Sequence, residues 1–333
     1  IVAILGIIGL SLLSIGLTIV ARSITKPLTT MAGATQEIAR GNLDVDLPLP
    51  RSGDEAGVLL SAFRSMKESL RDYIQRLTET TASKERIESE LKIAHDIQMS
   101  ILPKIFPPFP DREEFDIYAM IHPAREVGGD FYDFFLIDHD HLCFVIGDVS
   151  GKGVPASLFM AVTKTLIKAT SSKGVAPGEI LTRVNRELSQ GNEASMFATI
   201  FCGILDTSTG ETLYANGGHN YPLILREGKE AIWLKGDNGL VVGGMENATY
   251  QTGQTILHPG ESIFLYTDGV TEAMNEKEEF FSDNRLRTKI SLFEGHPPKE
   301  VISGMAEEIA RFSQNMPQAD DMAMMMIRFF GKG

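Results

Sequence analysis

Four aspartates stand where the chain turns out of, or into, an apolar run. Asp130 follows Gly128-Gly129, Asp148 follows CFVIG, Asp268 follows IFLYT and precedes Gly269, and Asp320, with Asp321 beside it, precedes the last apolar segment. A lone aspartate at such a place is usually a turn former, because its short side chain hydrogen-bonds nearby backbone. Four such positions, three of them flush with strongly apolar segments, call for another account. Brought together they would make a cluster of uncompensated negative charge, which is unfavourable unless cations fill it. Oxygen-only ligands favour hard divalent ions, Mg2+ or Mn2+, over zinc. Two such ions can bind phosphate oxygens and deliver a hydroxide to phosphorus.

Other eye-catching residues receive plainer readings. His219 in NGGHN is expected to be a hydrogen-bonded turn histidine and not a general acid. Lys152 in GDVSGKG resembles the lysine of a phosphate loop, yet the spacing is one residue short and no Ser or Thr follows. Met322, Met324, Met325 and Met326 read as a buried strand. Cys143 and Cys202 lie within apolar runs, without disulfide or zinc spacing, and are expected in the core of a reducing, cytosolic domain.

The elements that must position the aspartates begin at Phe115. Strand-like runs FDIYAMIHP, VGGDFYDFFLID and HLCFVIGDVSGKG precede two helical stretches, VPASLFMAVTKTLIKAT and PGEILTRVNRELSQ. Strands resume with MFATIFCGILD, TLYANGGHN, YPLILR and ESIFLYTDGVTEA; a helix, KEVISGMAEEIARF, precedes the final strand MAMMMIRFF. Runs of strands broken by a helix pair predict a layered α+β domain, not a parallel doubly wound one.

These residues match a family pattern. VGGDFYDF at 127–134, GDVSGKGVPA at 147–156, YTDGVTEA at 266–273 and DDMA at 320–323 resemble the stage-II-sporulation-E/RsbU branch of the metal-dependent PPM (protein phosphatase 2C-like) phosphatases. NGGHN at 216–220 and the upstream ELKIAHDIQMSILP are also typical of that branch, so the resemblance runs from about Glu90 to Phe330. It implies an α-β-β-α sandwich and two divalent ions, Mn2+ or Mg2+. Asp148 would bridge the ions, with the Val149 carbonyl on one of them; Asp268 and Asp320 would hold the second, and Asp130 the first, directly or through water. Asp321 adjoins Asp320, and the two can exchange roles. Arg125 stands where the eukaryotic branch places a phosphate-binding arginine, or is a solvated surface residue. That branch has Glu just before the first aspartate and this chain has Gly129, a departure that points to conditional filling of the first metal site. The implied activity is hydrolysis of phosphoserine or phosphothreonine by a metal-activated water. The implied substrate is a regulatory protein of the STAS-type anti-sigma-factor-antagonist class. Two rival readings fit the residues less well. A catalytically weak pseudophosphatase that only binds a partner would be favoured by loss of a metal aspartate, and all are present. GGDFYDF resembles the diguanylate cyclase signature, but Phe131 replaces its acidic residue and Asp148, Asp268 and Asp320 would be left without a role.

Upstream, residues 1–20 carry no charge, and twenty helical residues rise about 30 Å, enough to cross a hydrocarbon core. Arg22 and Lys26 follow, which by the positive-inside tendency places the remainder in the cytoplasm, on the bacterial cytoplasmic (inner) membrane. The chain opens inside an apolar run without Met, so an upstream sensor and a first membrane span are expected. Residues 21–78 read as two amphipathic helices, the first starting at Pro27 and stopping at Gly41, the second starting at Asp54-Glu55. With GNL, DEAGVL and FRSM between and after them, they resemble a HAMP signal relay, a parallel dimeric helical bundle, which implies a homodimer. Just before the coiled-coil linker, 79–106, Leu70, Ile74 and Leu77 set one 4-3 series, and within it Ile87, Leu91, Ala94, Gln98 and Ile101 form another. Ile87 stands one residue before the place the first series would fill, and polar TETTASKE lies between them. That segment is either a frayed joint or a bistable one. The phosphatase domain is expected over 107–333. A formal charge of −13 argues against a nucleic-acid surface, which needs clustered Lys and Arg.

Overall fold

In the computed structural model, residues 2–49, 55–314 and 316–332 are described, and the chain divides into two units, 1–89 and 90–333. Ile1, Asp54 and Gly333, which fall within expected segments, lie outside the described residues. In the first unit, helix α1 (Val2–Val20) presents apolar side chains on every face, and it is long and apolar enough to cross a membrane. It does not stop before Pro27. A single π-helical turn, Ala21–Thr25, leads into α2 (Lys26–Ala39), where Pro27 is the second residue. The wider turn gives the proline ring room against the preceding carbonyls, so the chain remains helical where the sequence predicts a fresh start.

Helix α3 spans Glu55–Ile101 without interruption. The frayed-joint reading of TETTASKE is therefore corrected: that stretch is helical throughout. Its Glu and Lys residues are good helix formers, and Gln75–Glu79 and Lys84–Glu88 link successive turns at 2.9 and 3.6 Å. Leu59, Met66, Leu70, Ile74, Leu77 and Ile87 are exposed on the single chain. The linker expected over 79–106 is shared between the two units, whose division falls after Ser89.

The second unit is built on alternation. In β3 (His141–Val149) Leu142, Phe144 and Ile146 face one way while Cys143, Val145 and Val149 face the other, as a strand's period of two requires. The strand therefore needs apolar cover on both sides. One cover is a helix pair, α4 (Val154–Thr170) and α5 (Pro177–Ser189). The other is a second sheet. The first sheet orders β1 (Phe115–His122), β10 (Met322–Phe329), β9 (Ser262–Tyr266), β6 (Leu223–Arg226) and β7 (Lys229–Trp233). The second orders β2 (Phe131–Leu136), β3, β4 (Ala198–Asp206), β5 (Glu211–Gly217) and β8 (Gly253–Ile256). Every pairing between these strands is antiparallel. Phe144, Phe201, Ile263, Ala323, Met325 and Ile327 fill the space between the sheets. The first sheet's outer face, with Met322, Met324 and Met326, packs on α7 (Ser282–Ile290) and α8 (Pro298–Ser313). The result is an α-β-β-α sandwich, with both cysteines in its core as expected.

Candidate active site

Antiparallel pairing assembles the aspartates two at a time. β2 and β3 pair with Phe131 opposite Gly147, so Asp130, one residue before β2, stands beside Asp148 at the end of β3. β9 and β10 pair with Tyr266 opposite Met324, so the exit of β9 meets the entry of β10. Asp268, the first residue of the short helix α6 (Asp268–Thr271), thereby comes next to Asp320-Asp321. Stacking the sheets brings both pairs to one edge.

Hydrogen bonds lock that edge. The Thr267 hydroxyl donates to Asp130 Oδ2 across the two sheets at 2.6 Å and accepts from the Ala323 amide at 2.8 Å. Asp321 is occupied by backbone: Oδ1 accepts from the Ala124 amide and Oδ2 from the Gly129 amide, each at 2.8 Å. Asp320 accepts from its neighbour's amide and from Lys152 Nζ at 3.0 Å, at the solvent side of the cluster. A Cβ at Gly128 would stand 1.9 Å from Asp321 Oδ2, and one at Gly129 would stand 2.7 Å from the Val149 carbonyl oxygen. The glutamate of the eukaryotic pattern therefore has no room at position 129 unless the backbone shifts.

The electrostatics follow from burial and crowding. Asp130 is 1% exposed, and burial together with Asp148 pushes its carboxyl well above the usual carboxylate range. Asp148 is pushed up to about 7 by burial and by Asp268. Asp268 is raised by burial, then by Glu272 and Asp320. Among the described residues, no three or more His, Cys, Asp or Glu side chains form a ready-made cage for one ion. The donor set still fits Mg2+ or Mn2+. Burial and mutual repulsion raise the carboxyls of Asp130, Asp148 and Asp268, which a divalent cation would offset; all donors are oxygen, and Mg2+ keeps several waters while taking only one or two protein carboxylates.

The structure brings together Asp130, Asp148, Val149, Asp268, Asp320 and Asp321. Arg125 lies on the exposed segment between β1 and β2, five residues before Asp130, and makes no ion pair among the described residues. Two supporting residues carry no mark in the sequence, and the role of a third is marked only in part. Thr267 is one. Gln98, near the end of α3, is buried; its amide donates to the Gly128 carbonyl at 2.7 Å, and its oxygen accepts from the Gly128 amide at 3.1 Å. The third is His219. As expected it is a hydrogen-bonded turn residue, but it also joins the sheets: Nδ1 lies 2.9 Å from the Thr199 hydroxyl on β4, and Nε2 lies 3.1 Å from the Tyr266 carbonyl on β9. Only its Asn neighbours in NGGHN hint at a fixed turn; its partners are distant in sequence.

An α-β-β-α sandwich with an aspartate cluster at one sheet edge defines a PP2C-type phosphatase domain. Comparison with known proteins is consistent: the family model for Stage II sporulation protein E (SpoIIE) matches residues 138–330, and the HAMP domain model matches residues 19–72. The chain belongs to the SpoIIE family and carries that domain behind a HAMP domain. Protein IcfG of Synechocystis sp. is 32% identical over 91% of this chain and 51% of its own length. Phosphoserine phosphatase RsbU of Bacillus subtilis is 29% identical over 73% of this chain and 71% of its own. The chain thus spans about half the length of the first relative and somewhat over two thirds of the second. The solved SiaA-PP2C domain of Pseudomonas aeruginosa shares the fold, with a TM-score of 0.66 at 22% identity over 74% of this chain and 99% of that one. The family is metal-dependent.

Proposed function

We propose that this chain is a membrane-attached, metal-dependent protein Ser/Thr phosphatase controlled through its HAMP domain. The observation that carries the reading is the convergence of Asp130, Asp148, Asp268 and Asp320 at one sheet edge, where burial and mutual repulsion raise the carboxyls of Asp130, Asp148 and Asp268. Asp321 stands apart, because it is buried with both oxygens held by backbone amides of the segment before β2, whereas Asp320 faces solvent; we therefore assign Asp320 as the ligand of the pair and Asp321 as the clamp. Two divalent ions, Mn2+ or Mg2+, held by Asp130, Asp148, the Val149 carbonyl, Asp268 and Asp320 would supply Lewis acidity and an activated water. Arg125, exposed and without an ion pair among the described residues, is the residue we assign to the phosphoryl group of the incoming substrate. Thr267 and Asp321 keep the carboxylates aimed, and Lys152 steadies Asp320.

RsbU is a phosphoserine phosphatase, and this chain's similarity to it supports a phosphoserine or phosphothreonine substrate, with a STAS-type regulatory protein as the favoured class. The exposed apolar side chains of α3 support dimerisation through the HAMP domain and linker. Arg22 and Lys26 after α1 support an inner-membrane location with the catalytic domain in the cytoplasm. The domain bounds that go with this reading are 1–20, 21–78, 79–106 and 107–333. The test is phosphate release from p-nitrophenyl phosphate by the purified chain. Release that requires Mn2+ or Mg2+ and stops with EDTA supports the reading, and metal-independent or absent release refutes it.

A further inference from the structure

A groove of about 510 Å³ opens directly beside the carboxylates, and Gly269, Lys152 and Asp320 belong to both. Its size falls within the ~300–1,000 Å³ typical of ligand sites. Its lining is otherwise largely apolar: Ala273, Met274, Ala306, Ile309, Met316 and Met322. Ile309 and Met322 are buried at its base, whereas Met316 is 43% exposed on the outer wall. That wall is pinned, since Gln318 Nε2 donates to the His122 carbonyl at 2.7 Å and Lys152 Nζ donates to the Ala319 carbonyl at 2.8 Å. The groove is therefore built before anything enters it.

Its chemistry and place select an occupant. We infer that this groove binds an apolar side chain of the phosphoprotein substrate, within about three residues of the phosphorylated Ser or Thr, and so sets substrate choice. This rests on the phosphatase reading above. An extended chain advances ~3.3–3.6 Å per residue, so with the phosphoryl group at the carboxylates a flanking side chain falls in the groove. The three methionines make a soft, adaptable lining that accepts Leu, Ile or Met alike. Charge works in the same direction. Lys152, the cation of the lining, is already paired with Asp320, while Glu272 pairs with no cation among the described residues. An acidic flanking residue would meet uncompensated negative charge and no partner. Apolar sequence beside the phosphate is favoured, and acidic sequence is rejected.

The test uses the full chain in detergent or nanodiscs with Mn2+ and three substrates: p-nitrophenyl phosphate and two phosphoserine peptides, identical except for Leu or Asp at the three flanking positions on either side. The expected result is a kcat/KM at least about tenfold higher for the Leu peptide than for the Asp peptide, carried mainly by KM, because burying one such side chain is worth roughly that factor. Ala310→Trp, on the exposed groove-facing side of α8, should bring the ratio close to one. Met316→Asp, on the exposed wall where a polar residue is compatible with folding, should do the same, and circular dichroism checks both variants. Metal-dependent release from all three substrates with equal kcat/KM for the two peptides would overturn the groove assignment alone. So would a preference that survives both folded variants. Failure to release phosphate from any substrate would remove the phosphatase reading and the groove assignment with it.

Discussion

Asp130, Asp148, Asp268 and Asp320 were readable as a group because each carries a local mark, a small or turn residue at the end of an apolar run. Asn in place of Asp148 or Asp268 keeps the shape but removes a negative charge, so Mn2+-dependent phosphate release should drop by about 10²-fold or more. Full turnover in either folded variant would exclude the aspartate cluster from the chemistry. Gln98 carried no such mark. In the sequence it was one position of a helical repeat, and its task appears only when the end of α3 lies against Gly128. Gln98→Leu would leave the Gly128 amide and carbonyl without partners, at about 1–3 kcal/mol for each buried group. Because Gly129 and Asp130 follow directly, the concentration of Mn2+ giving half-saturation should rise about tenfold by calorimetry, with only a modest drop in melting temperature. If melting temperature falls and Mn2+ affinity does not change, Gln98 is a packing residue.

At the scale of elements, strands and helices were legible from their periodicity, but sheet order was not. β10 lies between β1 and β9, and β8 joins β5 across an intervening stretch; such pairings are set by packing between residues far apart in sequence. The uninterrupted α3 was missed for a related reason. A polar stretch that packs nothing looks like a joint, yet helix propensity and i,i+4 pairs sustain it. His219 shows what a short sequence window hides. Burial lowers its pKa from 6.5 to about 4, so the neutral ring is the form that joins β4 to β9. A folded-state pKa below the unfolded value means the stabilisation is complete above about pH 6.5 and is lost as pH falls toward 4. A displacement of that size corresponds to a loss on the order of 3 kcal/mol. Trp233, the chain's single tryptophan, stands 6.1 Å from Tyr266 and reports on this region. Urea unfolding followed by Trp233 fluorescence should show the midpoint falling between pH 7 and pH 4.5 in the native chain and falling less in His219→Asn. Equal pH dependence in both would remove His219 as the cause.

At the scale of the whole molecule, the apolar helix α1, the HAMP domain and the catalytic unit follow one another along one chain, and α3 is the covalent path by which the first two can affect the third. A continuous helix transmits rotation as well as displacement, and its last turns hold the loop that carries Asp130 through Gln98 and through His95, whose Nδ1 lies 2.6 Å from the Glu126 carbonyl. In a homodimer, the two apolar phases of α3, before Thr78 and after Glu85, would give the paired helices two alternative seams. A small twist imposed from the membrane side would then favour one seam over the other, and the grip on Gly128 would differ between the two states. Inserting or deleting one residue next to Thr81 rotates everything downstream by about 100° while leaving both packed units intact. In the membrane-bound chain the expected outcome is activity fixed high or fixed low, with the response to the upstream signal abolished. A chain beginning near Phe106 should keep a basal rate that no signal changes. Inserting seven residues, about two turns, should restore regulation, because it returns the downstream helix to nearly its original phase. Regulation that survives the single insertion would show that α3 is a tether, and control would have to reach the carboxylates by another route.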